Sequence, residues 1–192
     1  PDWVKAHIAG GDVPPTRVVS DPFPTLHSVA VDPINDRVFV SDTNRHALWS
    51  YERLAASTGS EPVTPLTGIR GPATGMMFIA AVTVDPQRQE IYTVDNDIGD
   101  RMMVFRYDAN GNVKPRSVIT GPRTEVGGGS AAHAATDKGF IVAGCGSASI
   151  CAWSINDKGN VPPRWKIPVQ QITGVAPSGI ALDPAHKEVI IT

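Results

Sequence analysis

Four side chains of metal-binding type are the first candidates for chemistry in this sequence: His27, Asp42, Asp95 and His133. Imidazole nitrogens and carboxylate oxygens bind divalent cations when a fold brings them together, and calcium prefers oxygen ligands. The alternative is that Asp42 and Asp95 bond the backbone of their own turns, as aspartate readily does. The choice depends on the elements that position these residues.

The two cysteines, Cys145 and Cys151, form neither a CxxC nor a haem-attachment motif. They flank a short connection between two predicted strands. If those strands form a hairpin, the cysteines could face each other near the Cα separation of about 5.5 Å that disulfides prefer. The alternative is a pair of buried thiols. A disulfide would fit an extracellular or periplasmic protein.

Several other function classes lack support in the sequence. No Gly-x-Ser-x-Gly nucleophile elbow occurs, and Gly127–Gly129 do not open a helix, so a phosphate-binding loop is not expected. A net charge of −2 provides no basic surface for nucleic acid. The longest nearly continuous apolar run, Met76–Val84, is far shorter than the roughly 20 residues of a membrane helix. We therefore expect neither a nucleic-acid partner nor a transmembrane segment.

The elements that would position these residues recur along the chain. A short apolar segment ending in Asp-Pro occurs three times, at Asp32, Asp85 and Asp183, with a worn copy at Asp137. Each copy precedes a β-branched or aromatic run, and Gly-Asn turns recur out of phase at Gly111 and Gly159. Such pairs form tight turns, and the 18 glycines and 17 prolines favour many short elements. Four short strands per roughly 50 residues predict an all-β fold, a β-propeller of four-stranded antiparallel blades.

The repeat also predicts the organisation of the chain as a single β-propeller domain or a fragment of one. We expect a half blade at 1–24, three blades at about 25–72, 76–122 and 130–172, and a half blade at 176–192. The first half blade contains predicted strands at Trp3–Ala9 and Val13–Val19. Complementary terminal halves are how propellers avoid unpaired edges. About four blades are therefore covered.

Two segments, Gly179–Pro184 and Val40–Arg45, resemble NHL-type repeats and the related SMP-30 and lactonase-like propellers. Those rings usually have six or more blades, so the resemblance implies a part of a six- or seven-bladed ring. It further implies that binding occurs where the second strand joins the third and the fourth joins the next first strand. The residues that map to this rim are His27, Ser28, Asp42, Asp95, Asn96, Asp97 and His133.

Residues that recur with the repeat are predicted to have structural roles. Asp32, Asp85 and Asp183 recur too regularly to be catalytic, so we interpret them as turn residues. Trp49, Phe105 and Trp153 recur on the third strand and are predicted to pack between blades.

Two functions from different classes follow. The favoured one is a non-catalytic binding or scaffold protein without a cofactor, an accessory subunit whose loop face binds a protein partner or a glycan. No acid–base or nucleophile set breaks the repeat, which favours this interpretation. The alternative is a metal-dependent lactonase or esterase of the SMP-30 type, in which a divalent cation such as calcium polarises the carbonyl and activates water. The acidic ligand set of those enzymes does not stand out as a motif here.

Overall fold

The computed structural model describes residues 14–127, 132–135, 138–146, 148–183 and 186–192, with the backbone alone for 132–135. The predicted strand at Trp3–Ala9 lies outside these residues. The described part is all-β, as predicted, apart from a 3-10 helix, Pro72–Thr74, and one short helix, α1 (Val169–Thr173). The sequence did not predict these two helical turns. Within the described ranges, no helix is long and apolar enough to cross a membrane.

The strands form successive antiparallel sheets in which sequence neighbours pair. The first sheet contains β1 (Leu26–Asp32), β2 (Arg37–Asp42), β3 (Ala47–Glu52) and β4 (Thr67–Arg70). The second contains β5 (Ile79–Asp85), β6 (Glu90–Asp95), β7 (Arg101–Arg106) and β8 (Ser117–Thr120). The third contains β9 (Ala132–Ala135), β10 (Phe140–Cys145), β11 (Ser149–Ser154) and β12 (Trp165–Ile167), and β13 (Ile180–Asp183) pairs with β14 (Glu188–Ile191).

The turn between the first and second strands is set by its aspartate. Asp32 Oδ1 accepts the N–H groups of Ile34 and Asn35 at 2.8 and 3.1 Å. Asp85 binds the two equivalent N–H groups of its own turn at 2.8 and 3.0 Å, and Asp183 accepts one at 3.1 Å. The prediction that these aspartates are turn residues is confirmed.

Two apolar cores lie between the sheets because alternate residues of each strand point to opposite faces. Phe39 of the first sheet packs with Ile91 and Phe105 of the second. On the opposite face of the second sheet, Tyr92 packs with Trp153 of the third. The second sheet is therefore a layer between the first and the third, and β1, β5, β9 and β13 lie side by side in that order.

Neighbouring sheets are also linked through their outer strands. The turn before β8 reaches back to β4, where Gly111 N–H donates to Gly68 O at 2.7 Å. The flanking Asn110 and Asn112 side chains accept the N–H groups of Gly68 and Ala73 at 2.9 and 2.8 Å. These bonds satisfy backbone groups that the first sheet alone leaves unpaired.

The same link recurs one repeat later. Gly159 N–H donates to Val118 O at 2.7 Å, and Asn160 Oδ1 accepts the Arg123 N–H at 2.8 Å. The approach is close: a Cβ on Gly121, whose φ is 120°, would lie 2.7 Å from Asn160 Oδ1. The recurring Gly-Pro-x-Thr sequence after β4 and β8 thus requires glycine at its first position.

Two predictions are corrected, one of a strand and one of a residue's place in the repeat. The described part of Val13–Val19 is not a strand, because Pro14 and Pro15 have no N–H and no neighbouring strand pairs with the segment. Trp49 is not the counterpart of Phe105 and Trp153. Phe105 and Trp153 each pair with the second residue of the preceding strand, Ile91 and Ile141. In the first sheet the equivalent residue, Val38, pairs with Tyr51. Trp49 lies two residues earlier on the same face of β3 as Tyr51, the face that no described sheet covers.

Candidate functional site

The candidate site is the end of the sheets where the second strands meet the third, which we call the loop face. Three residues end the second strands there: Asp42, Asp95 and Cys145. In the first two sheets, the connection closes with a residue in the left-handed region just before the third strand, φ 48° at His46 and φ 41° at Asp100. The backbone is therefore repeated, while the chemistry at the strand end differs from sheet to sheet.

Asp42 is buried and fully engaged by its own surroundings. One oxygen accepts the Thr25 hydroxyl and the Arg45 N–H, the latter at 3.1 Å, and the other oxygen pairs with the Arg45 guanidinium. Arg45 also pairs with Asp21 at 2.6 Å. Burial opposes ionisation of Asp42, but the bonds from Thr25 and Arg45 outweigh it, so its pKa lies below the ordinary value. Asp42 therefore fits the turn-bonding alternative.

Asp95 has a different environment at the equivalent position. Its side chain is fully buried, and Oδ2 accepts the Met77 N–H at 2.9 Å. The Arg101 guanidinium is 3.9 Å away, too far for a hydrogen bond, and Oδ1 has no hydrogen-bond partner among the described residues. Burial raises the pKa of Asp95 to about 6, although the charges of Arg101 and His46 oppose this. Asp95 is therefore a carboxyl group that ionises near neutral pH inside the protein.

His27 and Ser28 connect the first strands of two sheets. His27 Nδ1 donates to Ala80 O at 2.9 Å, since a carbonyl can only accept. Ser28 Oγ accepts the Val82 N–H at 3.2 Å. Because β1 and β5 are not paired in one sheet, these side chains supply the bonds between them.

The predicted metal candidates are not brought together among the described side chains. No three His, Cys, Asp or Glu side chains in that part of the chain lie close enough to hold a metal ion. His27 lies at a bulge of β1 between Leu26 and Ser28. The His133 side chain is outside the description, but its backbone pairs with Val142 in regular register. The two histidines therefore stand at different positions along their strands.

At the end of β10 in the third sheet, Cys145 and Cys151 are joined in a disulfide, the first of the two alternatives that the sequence left open. Their Cα atoms are 5.8 Å apart, and both residues are fully buried. Cys145 pairs with Ser149, two residues before Cys151, so the disulfide runs diagonally across the hairpin. It closes the connection covalently at the position where Asp42 and Asp95 use a carboxylate.

A cleft of about 280 Å³ lies beside the connection between β2 and β3, with Trp49 and Tyr51 in its lining. The guanidinium carbons of Arg45 and Arg70 are 4.9 and 5.7 Å from the Trp49 ring centre, within cation–π range. Gly68 lies against the same indole and has no side chain to displace it. Trp49 thus fixes the two arginines instead of presenting an open stacking surface.

Comparison with known proteins gives a result at the level of the fold. No family model and no curated protein matches the chain. Among solved structures, the chain is similar to hydrazine synthase of Kuenenia stuttgartiensis, with a TM-score of 0.61 and 14% identity. The likeness is one of fold alone. The match covers 94% of this chain but only 45% of that one, so the chain spans less than half the length of the protein it matches.

Sequence reasoning missed several features of this region because they depend on long-range packing. The environment of Asp95 depends on the segment around Met77, 18 residues earlier. The Arg70 contact to Trp49 comes from a strand 21 residues later. Neither feature leaves a local spacing signal, whereas the Arg45–Asp42 pair, three residues apart, could have been found from the sequence.

Proposed function

We propose that this chain is a non-catalytic β-propeller module that binds a protein partner through its loop face. The sheets lie side by side with their first strands adjacent, and recurring turns link their outer strands. This is the packing that a series of propeller blades requires. The resemblance to NHL-type and SMP-30-like repeats is consistent with it.

The observation that carries the proposal is the set of apolar side chains exposed on the loop face. Phe23, Ile98 and Ile172 are 70%, 62% and 69% exposed. Each stands on a connection that bonds the neighbouring connection of its own repeat at this end: Thr25 O accepts the Thr43 N–H at 3.2 Å, Phe78 O accepts the Asn96 N–H at 3.1 Å, and Ala148 O accepts the Gln170 N–H at 3.1 Å. Exposed apolar groups on rigid loops are typical of a docking surface.

The polar groups of the same face support binding over catalysis. Asp42, Arg45 and Asp21 bond one another, and His27 is bonded to a backbone carbonyl. A general acid or base must reach a substrate proton, and these groups are already engaged inside the protein. A protein partner is therefore proposed, with a glycan as the other ligand class. An oxidising compartment, extracellular or periplasmic, is proposed from the disulfide.

The test is co-purification from the native source with a tagged chain and two single variants. Ile98→Glu places a charge on the loop face, and we expect it to remove the partner. Ile34→Glu is the matched control, because Ile34 is comparably exposed but lies in a turn at the opposite end of the sheets. Equal partner recovery with both variants would refute a loop-face partner.

The second proposal is a metal-dependent hydrolase of the SMP-30 type, and the observation that favours it is the buried Asp95 oxygen without a described partner. Carboxylate oxygens of this kind bind divalent cations when other ligands join them. Calorimetric titration of the chelated protein with Ca²⁺, Zn²⁺ and Mn²⁺ tests it. Binding that Asp95→Asn abolishes would favour the hydrolase, whereas no heat from any of the three ions would exclude it.

A further inference from the structure

The four methionines of the chain differ in exposure. Met102 and Met103 on β7 are buried, and Met76 is only 7% exposed. Met77, the next residue, is 36% exposed and lies at the loop face, in the connection that leads from β4 into β5. A thioether is oxidised by direct attack of its sulfur on the oxidant, so exposure controls its reactivity. In the folded protein, an oxidant dissolved in the solvent therefore reaches Met77 first.

The backbone of Met77 is held at both of its polar groups. Its N–H donates to Asp95 Oδ2 at 2.9 Å, and its carbonyl accepts a hydrogen bond from His46 Nδ1. These two partners come from the connections that follow β2 and end β6, so the segment around Met77 is fixed from both neighbouring sheets. The Met77 side chain therefore extends from a fixed point of the loop face.

A guanidinium group is already in place beside the Met77 sulfur. Arg101 Nη2 lies 3.5 Å from Met77 Sδ. Two backbone carbonyls hold the same guanidinium, since Gly75 O accepts from Nη1 and Gly99 O accepts from Nε, both at 3.2 Å. A thioether sulfur is only a weak acceptor, whereas a sulfoxide oxygen carries a partial negative charge and accepts strongly. Oxidation of the sulfur would therefore give the fixed guanidinium a much better hydrogen-bond partner.

Among the three four-stranded sheets, this methionine–arginine pair is confined to the second. Counted from the carbonyl that accepts the N–H after each second strand, the place of the methionine is taken by Pro24 and Thr124. Opposite the last residue of the second strand, the place of the arginine is taken by Ala47 and Ser149. The shared fold therefore does not depend on the pair, which points to chemistry specific to the second sheet.

We propose that Met77 is a site of reversible oxidation by hydrogen peroxide and that Arg101 stabilises the resulting sulfoxide. The sulfur attacks one peroxide oxygen, and an S–O bond forms as the O–O bond breaks. The proton of the transferred oxygen passes to the other oxygen, which leaves as water, so the sulfur loses the two electrons that the peroxide gains. Arg101 Nη2 then donates to the new oxygen, and methionine sulfoxide reductases reverse the change. The inference does not rest on the loop-face partner proposed above.

Treatment of the purified chain with hydrogen peroxide, followed by peptide mass spectrometry, tests the site. Met77 should gain one oxygen at least about tenfold faster than the other three methionines, because a buried thioether reacts only in locally opened molecules. Fragment spectra distinguish Met77 from the adjacent Met76, which serves as the matched internal control. In urea the four methionines should react at similar rates. Similar rates in the folded protein as well would overturn the proposal.

The configuration of the sulfoxide tests the role of Arg101. A sulfoxide has two epimers, and two classes of reductase each act on one of them, so treating the digested peptides with each enzyme measures their ratio. In the wild type one epimer should exceed the other by at least about threefold, because only that configuration directs the oxygen at the fixed guanidinium. Equal amounts of the two epimers in the wild type would refute stabilisation by Arg101.

Two variants complete the test. Arg101→Gln should bring the epimer ratio close to one, while Met77 remains the methionine that reacts first. Arg106→Gln is the matched control, because Arg106 is exposed and pairs with Asp108 at the other end of the same strand; it should keep the wild-type ratio. Circular dichroism verifies that each variant is folded. An unchanged ratio in folded Arg101→Gln would overturn the role of Arg101, and none of these outcomes bears on the loop-face partner.

Discussion

The burial of Asp95 predicts a distinct pH dependence of stability that Asp95→Asn should remove. In the folded protein this carboxyl has a pKa of about 6, against 3.8 in the absence of burial. Between these two values the folded state binds more protons than the unfolded state, so the free energy of unfolding falls as pH rises. Above about pH 6 the full cost of a buried carboxylate is present.

The size of the effect follows from the shift. A difference of about 2 pKa units corresponds to about 3 kcal/mol, since each unit is worth about 1.4 kcal/mol. The asparagine introduced by Asp95→Asn cannot ionise, and its carbonyl oxygen can still accept the Met77 N–H. Its amide group adds donors without partners, which costs about 1–3 kcal/mol at every pH. The free energy of unfolding at neutral pH therefore changes little on substitution. The fall of about 3 kcal/mol that the wild type shows mostly between pH 4 and 6 should be absent from the variant.

Urea denaturation at a series of pH values measures this slope, with Asp97→Asn as the matched control. Asp97 lies two residues further along and is exposed, so its substitution should leave the wild-type slope unchanged. Asp32 and Asp42 have lowered pKa values, so their stabilising effect is lost only as pH falls below the ordinary aspartate range. If Asp95→Asn keeps the wild-type slope between pH 4 and 6, Asp95 is not a buried carboxyl of raised pKa.

Three further predictions concern stability and are measured by urea or thermal unfolding. Cys145→Ser removes a disulfide whose cysteines are 6 positions apart and should lower stability by about 2 kcal/mol, an effect that reducing agent reproduces in the wild type. Gly121→Ala should cost more than Gly59→Ala, since both glycines have positive φ but only Gly121 has an atom within 4 Å of the added Cβ; equal losses would contradict the close approach. Tyr107→Phe removes a hydrogen bond to buried Asp32 and should cost about 1–3 kcal/mol. It should also raise the midpoint of acid unfolding, because Asp32 loses a bond that holds its pKa down.

The parts of the fold that follow local rules could be predicted from the sequence. Asp-Pro turns depend on one aspartate and the next three residues, so Asp32 and Asp85 are sufficient to identify the ends of β1 and β5. The choice between a disulfide and two thiols could not be made, because it depends on how two strands pair. The predicted register of Trp49 is wrong because the sequence pattern does not distinguish this residue from Tyr51, the aromatic residue two positions later.

The candidate site was predicted less well because burial and long-range bonds decide its chemistry. Asp42 and Asp95 occupy equivalent places in the repeat, yet one is saturated by Thr25 and Arg45 and the other has an oxygen without a described partner. No spacing rule distinguishes them. The difference comes largely from Arg45, since the residue three positions after Asp95 is Ile98, which has no guanidinium.

In the links between outer strands the asparagine side chains that accept hydrogen bonds belong to the later repeat, which matters for how the protein is made. Gly68 and Ala73 N–H groups of the first sheet find their acceptors on Asn110 and Asn112, about 40 residues later. During synthesis the earlier repeat therefore stays incomplete until the later turn has left the ribosome, although domains in general fold as they emerge. Loss of the later turn therefore leaves the Gly68 and Ala73 N–H groups of the earlier repeat without their asparagine acceptors, whereas loss of the earlier repeat takes from this link the acceptor of the Gly111 N–H; either loss also opens the apolar core between the two sheets.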